Sequence, residues 1–193
     1  MAIIFQERNR IFTLTTEHTL YQMKVDDFGF LLHLYYGKKA PGDFEYLLTY
    51  YDRGFSGNPY DAGEDRTYSL DVLPQEYPGI GTGDYRSSAL IIRNHDGTQC
   101  CDLRYAGYEI KKGKYGLPGL PAVYASDEEA DTLEILLKDS VSHVRVKLLY
   151  GVLWKEDIIT RSAVIINGGE YPVTVEKAAS ACLDFLSGEY DMI

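Results

Sequence analysis

The sequence predicts an all-β protein, a large antiparallel β-sandwich (supersandwich) of ten or more strands. Apolar side chains recur at every second position, as in Leu133, Ile135 and Leu137 or Val144 and Val146. This alternation puts one face of a strand on a core. Turn-forming residues separate the apolar segments, and helical periodicity is weak. The 193 residues, 45% of them hydrophobic, suit a single domain with a sizeable core.

Each strand is predicted from a short run of β-branched, aliphatic or aromatic residues bounded by turn signals. In chain order the strands are Ile11–Thr16, Leu20–Val25, Phe30–Tyr36, Phe44–Tyr51, Tyr68–Leu73, Ser87–Arg93, Leu103–Lys111, 132–138, 144–150, Ile158–Ile166 and Val173–Ala178. The turns between them contain Asn9-Arg10, Asp26-Asp27, Asn94-His95-Asp96-Gly97, Asp139-Ser140 and Asn167-Gly168-Gly169.

The segment Glu176–Ser187 is ambiguous between helix and strand. Its residue types favour a helix, but Cys182, Leu183 and Phe185 also fit a strand in which Asp184 points the other way. The strand is the preferred interpretation.

Composition excludes several function classes. A net charge of −10 argues against nucleic acid and anionic membranes as partners, because both repel an acidic protein. Three cysteines, two of them adjacent, form no disulfide framework, and no CxxC or His-rich spacing indicates a metal site. We therefore expect no metal and no cofactor. No apolar run is long enough for a signal peptide or a membrane span, which predicts a cytoplasmic location.

The most distinctive stretch of the chain is 50–63, which combines two carboxylates, a guanidinium, an amide and four aromatic rings with three glycines and a proline. Glycine and proline favour a shaped loop that displays these groups. Aromatic faces beside hydrogen-bonding side chains suit a sugar. The candidate substrate-binding residues are Asp52, Arg53, Phe55, Asn58 and Asp61. The alternative is that an Asp–Arg pair only holds the loop together.

The segment from Arg53 to Arg86 is rich in glycine and proline and is predicted as a long functional or interface loop around the short strand Tyr68–Leu73. Gly79-Ile80-Gly81-Thr82-Gly83 is interpreted as a flexible turn, since no Lys-Ser/Thr or helix follows it. The sequence contains no Gly-x-Ser-x-Gly motif, P-loop or dinucleotide fingerprint. No residue is therefore assigned a catalytic role.

Several motifs resemble those of one family, the N-terminal β-sandwich domain of bacterial α-galactosidases of glycoside hydrolase family 36. The resemblance extends over the whole chain and rests on Leu34-Tyr35-Tyr36-Gly37, Asp52-Arg53-Gly54-Phe55-Ser56-Gly57-Asn58-Pro59-Tyr60-Asp61, Leu70-Asp71-Val72-Leu73-Pro74-Gln75-Glu76-Tyr77-Pro78, Gly83-Asp84-Tyr85-Arg86 and Cys182-Leu183-Asp184-Phe185.

The resemblance implies that the chain is the N-terminal part of a longer enzyme with a catalytic (β/α)8 barrel. Such enzymes hydrolyse terminal α-galactosides such as melibiose and raffinose with retention of configuration. Their nucleophile and acid/base aspartates lie in the barrel, so the resemblance implies that these 193 residues alone are inactive. The apolar sequence near Ile193 also suggests that the chain continues.

The resemblance also implies partners: α-galactoside sugars, the catalytic barrel, and neighbouring subunits of a homotetramer. Loops of the sandwich would then line the active-site pocket of an adjacent chain. Asp52 or Arg53 could bind sugar hydroxyls, Asn58 could do so through both amide atoms, and Phe55 could pack on a ring face. Two alternatives stay open: a free-standing carbohydrate-binding module, and a structural sandwich whose loop ion pairs only hold loops.

Overall fold

The computed structural model describes residues 2–52 and 57–184 and confirms the all-β prediction. In the described ranges the strands are β1 (Ile3–Gln6), β2 (Ile11–Thr15), β3 (Thr19–Val25), β4 (Leu31–Lys38), β5 (Leu90–Arg93), β6 (Arg104–Lys112), β7 (Ala130–Lys138), β8 (Val144–Leu153), β9 (Ile158–Asn167) and β10 (Thr174–Ala178). The same ranges hold two short 3₁₀ helices, Glu45–Leu47 and Tyr60–Ala62, and no α-helix.

The strands form two antiparallel meanders and a smaller pair. The first meander has the order β1-β2-β3-β4, the second β6-β7-β8-β9, and β5 pairs with β10. Short turns join consecutive strands in both meanders, except between β6 and β7, where the longer segment 113–129 makes the connection. The turn signals at Asn9-Arg10, Asp26-Asp27 and Asp139-Ser140 predicted three of the short turns. The principal core lies between them, where Phe12 and Met23 of the first meander belong to the same buried cluster as Ile135 and Val146 of the second.

The first meander is buried on both faces. Alternate residues on its strands point to a second cluster, which contains Ile11, Leu20, Leu32 and Leu34. The outer face is covered by side chains that follow β4 in the sequence, namely Phe44, Leu48, Ala62, Tyr68, Leu70 and Leu73. The described part of the Gly/Pro-rich region therefore packs on a sheet as a third layer.

This third layer explains two wrong predictions. Phe44–Tyr51 forms the 3₁₀ turn Glu45–Leu47 instead of a strand, and Tyr68–Leu73 is a buried turn. Both segments carry apolar residues at strand-like spacing because they cover a sheet, and local periodicity cannot distinguish this role from that of a paired strand.

The ends of the domain also differ from the prediction. Strand β1, Ile3–Gln6, was missed, although it pairs with β2 over its full length. Residues 179–184 form no strand beyond β10, so the strand preferred for Glu176–Ser187 is limited to its first three residues within the described range.

A fully buried carboxylate connects the two meanders. Glu76 is 0% exposed, and its Oε1 accepts hydrogen bonds from Tyr21 Oη of β3 at 2.6 Å and Tyr150 Oη of β8 at 2.7 Å. Arg161 of β9 lies 2.9 Å from the same oxygen through Nη1, and its Nη2 donates to the Glu76 carbonyl at 2.7 Å. His33 Nδ1 of β4 lies 3.3 Å from Oε2. Four strands thus meet on one side chain.

The backbone delivers Glu76 to this position by running along the edge of β4. His33 N donates to Pro74 O at 2.7 Å, and Glu76 N donates to Leu31 O at 2.8 Å. Segment 74–76 therefore occupies backbone groups that an edge strand would otherwise leave unpaired.

Burial alone would raise the pKa of Glu76, but the charge of Arg161, the nearby ring of His33 and the hydrogen bond from Tyr21 outweigh it and hold this pKa below its ordinary value of 4.5. Burial, followed by the charge of Glu76, raises the pKa of Tyr21 and of Tyr150 well above 10.0, which keeps both hydroxyls as donors. The cluster is therefore an ion pair whose Oε1 is saturated by two neutral donors, while Glu76 Oε2, His33 Nδ1 and Arg161 Nε make no hydrogen bond.

We predict that Glu76→Gln lowers the free energy of unfolding by about 3–5 kcal/mol, because it leaves the buried guanidinium of Arg161 without its counter-charge. Urea denaturation measures this loss. The matched control is Glu176→Gln, which removes a carboxylate from the largely exposed pair with Arg93 and should cost no more than about 1 kcal/mol. Equal losses in the two variants would contradict the central role of Glu76.

A second prediction concerns acid. The folded pKa of Glu76 is lowered, so its contribution to stability is complete above the unfolded value near 4.5 and is lost as the pH falls through the folded value. The stability difference between the native protein and Glu76→Gln should therefore be constant near neutral pH and shrink below about pH 4.5. Urea midpoints between pH 7 and pH 3 test this, and a difference that stays constant throughout would refute it.

Candidate functional site

The described part of the candidate loop lines an open cleft of about 550 Å³. One wall is segment 57–61, and the other walls are segment 81–85 and the stretch that leads into β6. Of the five sequence-predicted residues, Asn58 and Asp61 line this cleft. Asp52 does not line it, and Arg53 and Phe55 lie outside the described residues.

Two glycines allow the first two walls to touch. A Cβ atom on Gly83 would lie 2.2 Å from the carbonyl oxygen of Gly57, closer than any side chain tolerates. Gly83 also has a φ of +92°, a left-handed conformation that favours glycine. The turn predicted for 79–83 is observed as a series of bends, and its last residue makes a backbone contact with segment 57–61.

Arg104 at the start of β6 anchors the loop to the sandwich. Its guanidinium binds both oxygens of Asp102, with Nε–Oδ1 2.6 Å and Nη2–Oδ2 2.8 Å, and lies 3.1 Å from Asp61 Oδ2. It also donates to Phe28 O at 2.6 Å and stacks over the ring of Phe30 at 3.9 Å. Asp61 therefore takes part in an ion-pair network that positions the loop.

The other two described candidates also make contacts within the loop region. Asn58 Nδ2 donates to Asp65 O at 2.8 Å, which closes a turn of the loop. Asp52 Oδ1 lies 3.4 Å from Arg66 Nη2 in a largely exposed pair. The described candidates thus make contacts that hold the loop, and part of each carboxylate stays accessible to solvent.

Arg86 fixes the opposite side of the region. It binds both oxygens of Asp84 and donates to the carbonyls of Leu70 and Leu73, at 3.0 and 2.7 Å. Its Nη1 reaches Asp184 Oδ2 at 2.8 Å, which joins this layer to the last described residues. Burial alone would lower the pKa of Arg86. The hydrogen bond from Arg86 to Asp84 and the charge of Asp84 outweigh burial and raise this pKa, so the guanidinium stays protonated.

A buried aspartate supports the loop from below. Asp26 accepts hydrogen bonds from the backbone of Phe28 and Phe30, at 3.0 and 2.7 Å, and from the hydroxyl of Tyr68. Burial raises the pKa of Asp26 despite these bonds, and burial raises the pKa of the neighbouring Tyr50 to about 12. Tyr50 stacks on Tyr68, with ring centroids 6.5 Å apart.

Exposed tyrosines surround the cleft, and the sequence prediction did not select them. Tyr60 is 100% exposed at the tip of the loop and Tyr85 is 77% exposed on the opposite wall. Tyr46, Tyr50 and Tyr51 are also exposed in the preceding segment. The sequence signal was the density of tyrosine near glycine and proline. Arg104 was missed as well, because a strand residue far along the chain gives no local sign that it contacts this loop.

The described residues contain no group of three or more histidine, cysteine or acidic side chains arranged to hold a metal. Cys100, Cys101 and Cys182 are free thiols. No helix in the described ranges is long and apolar enough to cross a membrane.

Residues 29–193 match the family model described as the glycosyl hydrolase family 36 N-terminal domain. The chain is 60% identical over its full length to the bifunctional alpha-galactosidase/sucrose kinase AgaSK of Mediterraneibacter gnavus, and covers 21% of that protein. It is 40% identical over 99% of its length to alpha-galactosidase 1 of Pediococcus pentosaceus, and covers 26% of it. The chain thus spans about a fifth to a quarter of these relatives.

Solved structures agree with this assignment. The galactosidase domain of AgaSK superposes with a TM-score of 0.95 at 60% identity, over 97% of this chain and 26% of that one. The α-galactosidase AgaB of Geobacillus stearothermophilus gives a TM-score of 0.87 at 39% identity, over 94% of this chain and 24% of that one. Together with the family match, these similarities show that the chain belongs to the N-terminal domains of glycosyl hydrolase family 36.

Proposed function

We propose that this chain is the non-catalytic N-terminal domain of an α-galactosidase, in which it shapes the substrate pocket of an adjacent subunit and supports oligomer assembly. Its family membership carries the proposal, because the relatives that it matches are α-galactosidases of which it covers only 21–26%. A relative from Geobacillus stearothermophilus has been solved with raffinose and another form with stachyose. The parent enzyme would therefore act on terminal α-galactosides of this kind.

The chemistry of the cleft supports a non-catalytic role. Retaining glycosidases need two carboxyl groups about 5–5.5 Å apart across an open space that admits the glycosidic bond. Asp61 and Asp102 both engage the guanidinium of Arg104. They are the only carboxylates among the described residues that line the cleft, and their shared ion pair with Arg104 positions the loop.

The loop combines a fixed base with an exposed tip that another molecule could contact. Its base is fixed by Arg104 and by the contact between Gly57 and Gly83, while Tyr60 at its tip makes full contact with solvent. A rigid base with an exposed aromatic tip suits insertion beside a sugar or into a neighbouring chain, because little conformational entropy is lost on binding.

The exposed tyrosines support assembly. Tyrosine is enriched at the centres of protein interfaces, where its ring is buried and its hydroxyl keeps a hydrogen bond. Four tyrosines around the loop region expose about half of their surface or more: Tyr46, Tyr51, Tyr60 and Tyr85. Contact with a neighbouring subunit would remove this apolar area from water.

We predict that Gly83→Ala in the complete enzyme lowers kcat/KM for raffinose about tenfold or more. The new methyl group would lie 2.2 Å from Gly57 O, so the loop must move, and displacements of about 1 Å in a positioned group can cost up to about a hundredfold. Steady-state kinetics with raffinose and melibiose measure the change.

The matched control is Gly42→Ala. Gly42 has a similar φ of +98° but no atom within 4 Å of the new Cβ, so it introduces the same backbone strain without a collision. This variant should lose stability and keep its kcat/KM. If both variants kept native kinetics, the loop would have a structural role only.

We also predict that Arg53→Ala or Phe55→Ala in the complete enzyme raises KM or lowers kcat/KM about tenfold to a hundredfold, equivalent to about 1–3 kcal/mol, with little loss of stability. The reason is that the side chains would contact substrate rather than the sandwich core. Kinetics and melting temperatures are measured on the same preparations. Unchanged kinetics together with a lowered melting temperature would favour the structural alternative.

A further inference from the structure

A second site lies where three turns meet, and it shares no residue with the loop cleft. The turns are 94–98 after β5, 139–143 between β7 and β8, and 167–171 between β9 and β10. They line a cavity of about 460 Å³ that is open to solvent. A neighbouring cavity of about 400 Å³ shares His143 and Gly168 with it. Cavities of this size accommodate small molecules.

The smaller cavity is lined by potential cations. Lys138 and Arg145 are directly opposite each other on β7 and β8, and His143 lies beside them. Like charges at such a cross-strand pair destabilise a sheet. None of the three makes an ion pair with any residue that the structure describes, although the chain has a net charge of −10. An anion would relieve this repulsion.

Glycine at position 168 gives the cavity its floor. A Cβ atom there would lie 2.6 Å from the carbonyl oxygen of His143 and 3.1 Å from Arg145 Nε. The absence of a side chain therefore allows the guanidinium of Arg145 to lie against the turn. His143 itself has a φ of +59°, which turns the chain sharply at this point.

The larger cavity contains an aromatic platform. Tyr171 stacks on His95 with ring centroids 4.1 Å apart and an angle of 17° between the planes. Tyr171 is nevertheless 59% exposed, so part of its ring is open to a ligand. Ser142 and the carboxylate of Glu170 line the same cavity and offer acceptors for hydroxyl groups.

Internal hydrogen bonds hold all three turns in place. Asp96 Oδ1 accepts from Thr98 N at 3.0 Å, and Asp139 Oδ1 accepts from Val141 N at 2.7 Å. Asn167 Nδ2 donates to Tyr171 O at 2.8 Å. The backbones of the three turns are therefore fixed relative to each other, while the side chains of Lys138, His143 and Arg145 are exposed at their edge.

We propose that these joined cavities bind a phosphorylated monosaccharide, with the phosphate between Arg145, Lys138 and His143 and the sugar ring on Tyr171. Arginine suits this task because its guanidinium binds two phosphate oxygens at once. Sugar hydroxyls would reach Glu170 and Ser142. The two cavities share no lining residue with the loop cleft. Either proposal can therefore fail without the other.

Calorimetric titration of the protein with glucose 6-phosphate, inorganic phosphate and glucose tests the proposal. We expect saturable binding of glucose 6-phosphate in the millimolar range or tighter, weakened by salt, and weaker binding of the other two ligands. Arg145→Gln should weaken the binding of glucose 6-phosphate about tenfold or more. If Arg145→Gln does not fold, Lys138→Gln provides the same test. Tyr171→Ala should weaken the binding of glucose 6-phosphate and leave the affinity for inorganic phosphate unchanged.

The matched control is Lys147→Gln. Lys147 lies on the same face of β8 but is paired with Glu134 at 3.1 Å, so this variant should bind glucose 6-phosphate as tightly as the native protein. If glucose 6-phosphate gave no saturable binding heat at concentrations up to about 10 mM, tenfold above the expected dissociation constant, the proposal would be overturned. Equal affinity for inorganic phosphate and glucose 6-phosphate would overturn the sugar assignment, and equal affinity for glucose would overturn the anion assignment.

Discussion

The architecture depends on the ion pair between Glu76 and Arg161 inside the sandwich. Arg161 of β9 is nearly buried, and Glu76 is completely so. An unpaired charge in such a position would cost several kcal/mol, so both segments must be in place for either to be stable. Tyr21 and Tyr150 complete the shell from both meanders. A single carboxylate thereby couples the register of four strands to the path of the segment that follows the candidate loop.

That coupling explains how a long Gly/Pro-rich region can carry a defined surface. From Glu76 the chain leads to the backbone contact of Gly83 with Gly57 and to the Arg86 clamp on Leu70 and Leu73. Each anchor uses buried charge or close backbone packing, which tolerate little displacement. The loop tip stays exposed while its base behaves as part of the core, and this combination is what a recognition loop on a rigid scaffold requires.

The sequence predicted every strand of the two meanders except β1, because segments such as Leu133 to Leu137 and Val144 to Tyr150 place one face on a core and obey a local period. It failed at Phe44–Tyr51 and Tyr68–Leu73, whose apolar residues cover the outer face of a sheet. It identified the loop from composition but missed Arg104, which lies 43 positions beyond Asp61 and meets it only through the fold. Arg53 and Phe55 lie outside the described residues, so their assignment still rests on the composition of the loop and on the resemblance.

The distribution of charge separates the two candidate sites by the ligands they suit. Around the loop cleft, Arg104 is neutralised by Asp61 and Asp102, which leaves a surface of hydroxyl-bearing aromatic rings suited to neutral sugars and to another protein surface. At the three turns, Lys138 and Arg145 lie opposite each other and make no ion pair with a described residue, although the chain has a net charge of −10. The proposed anion would offset the repulsion between these two opposite side chains. The domain would then recognise a neutral sugar at one site and a charged one at the other.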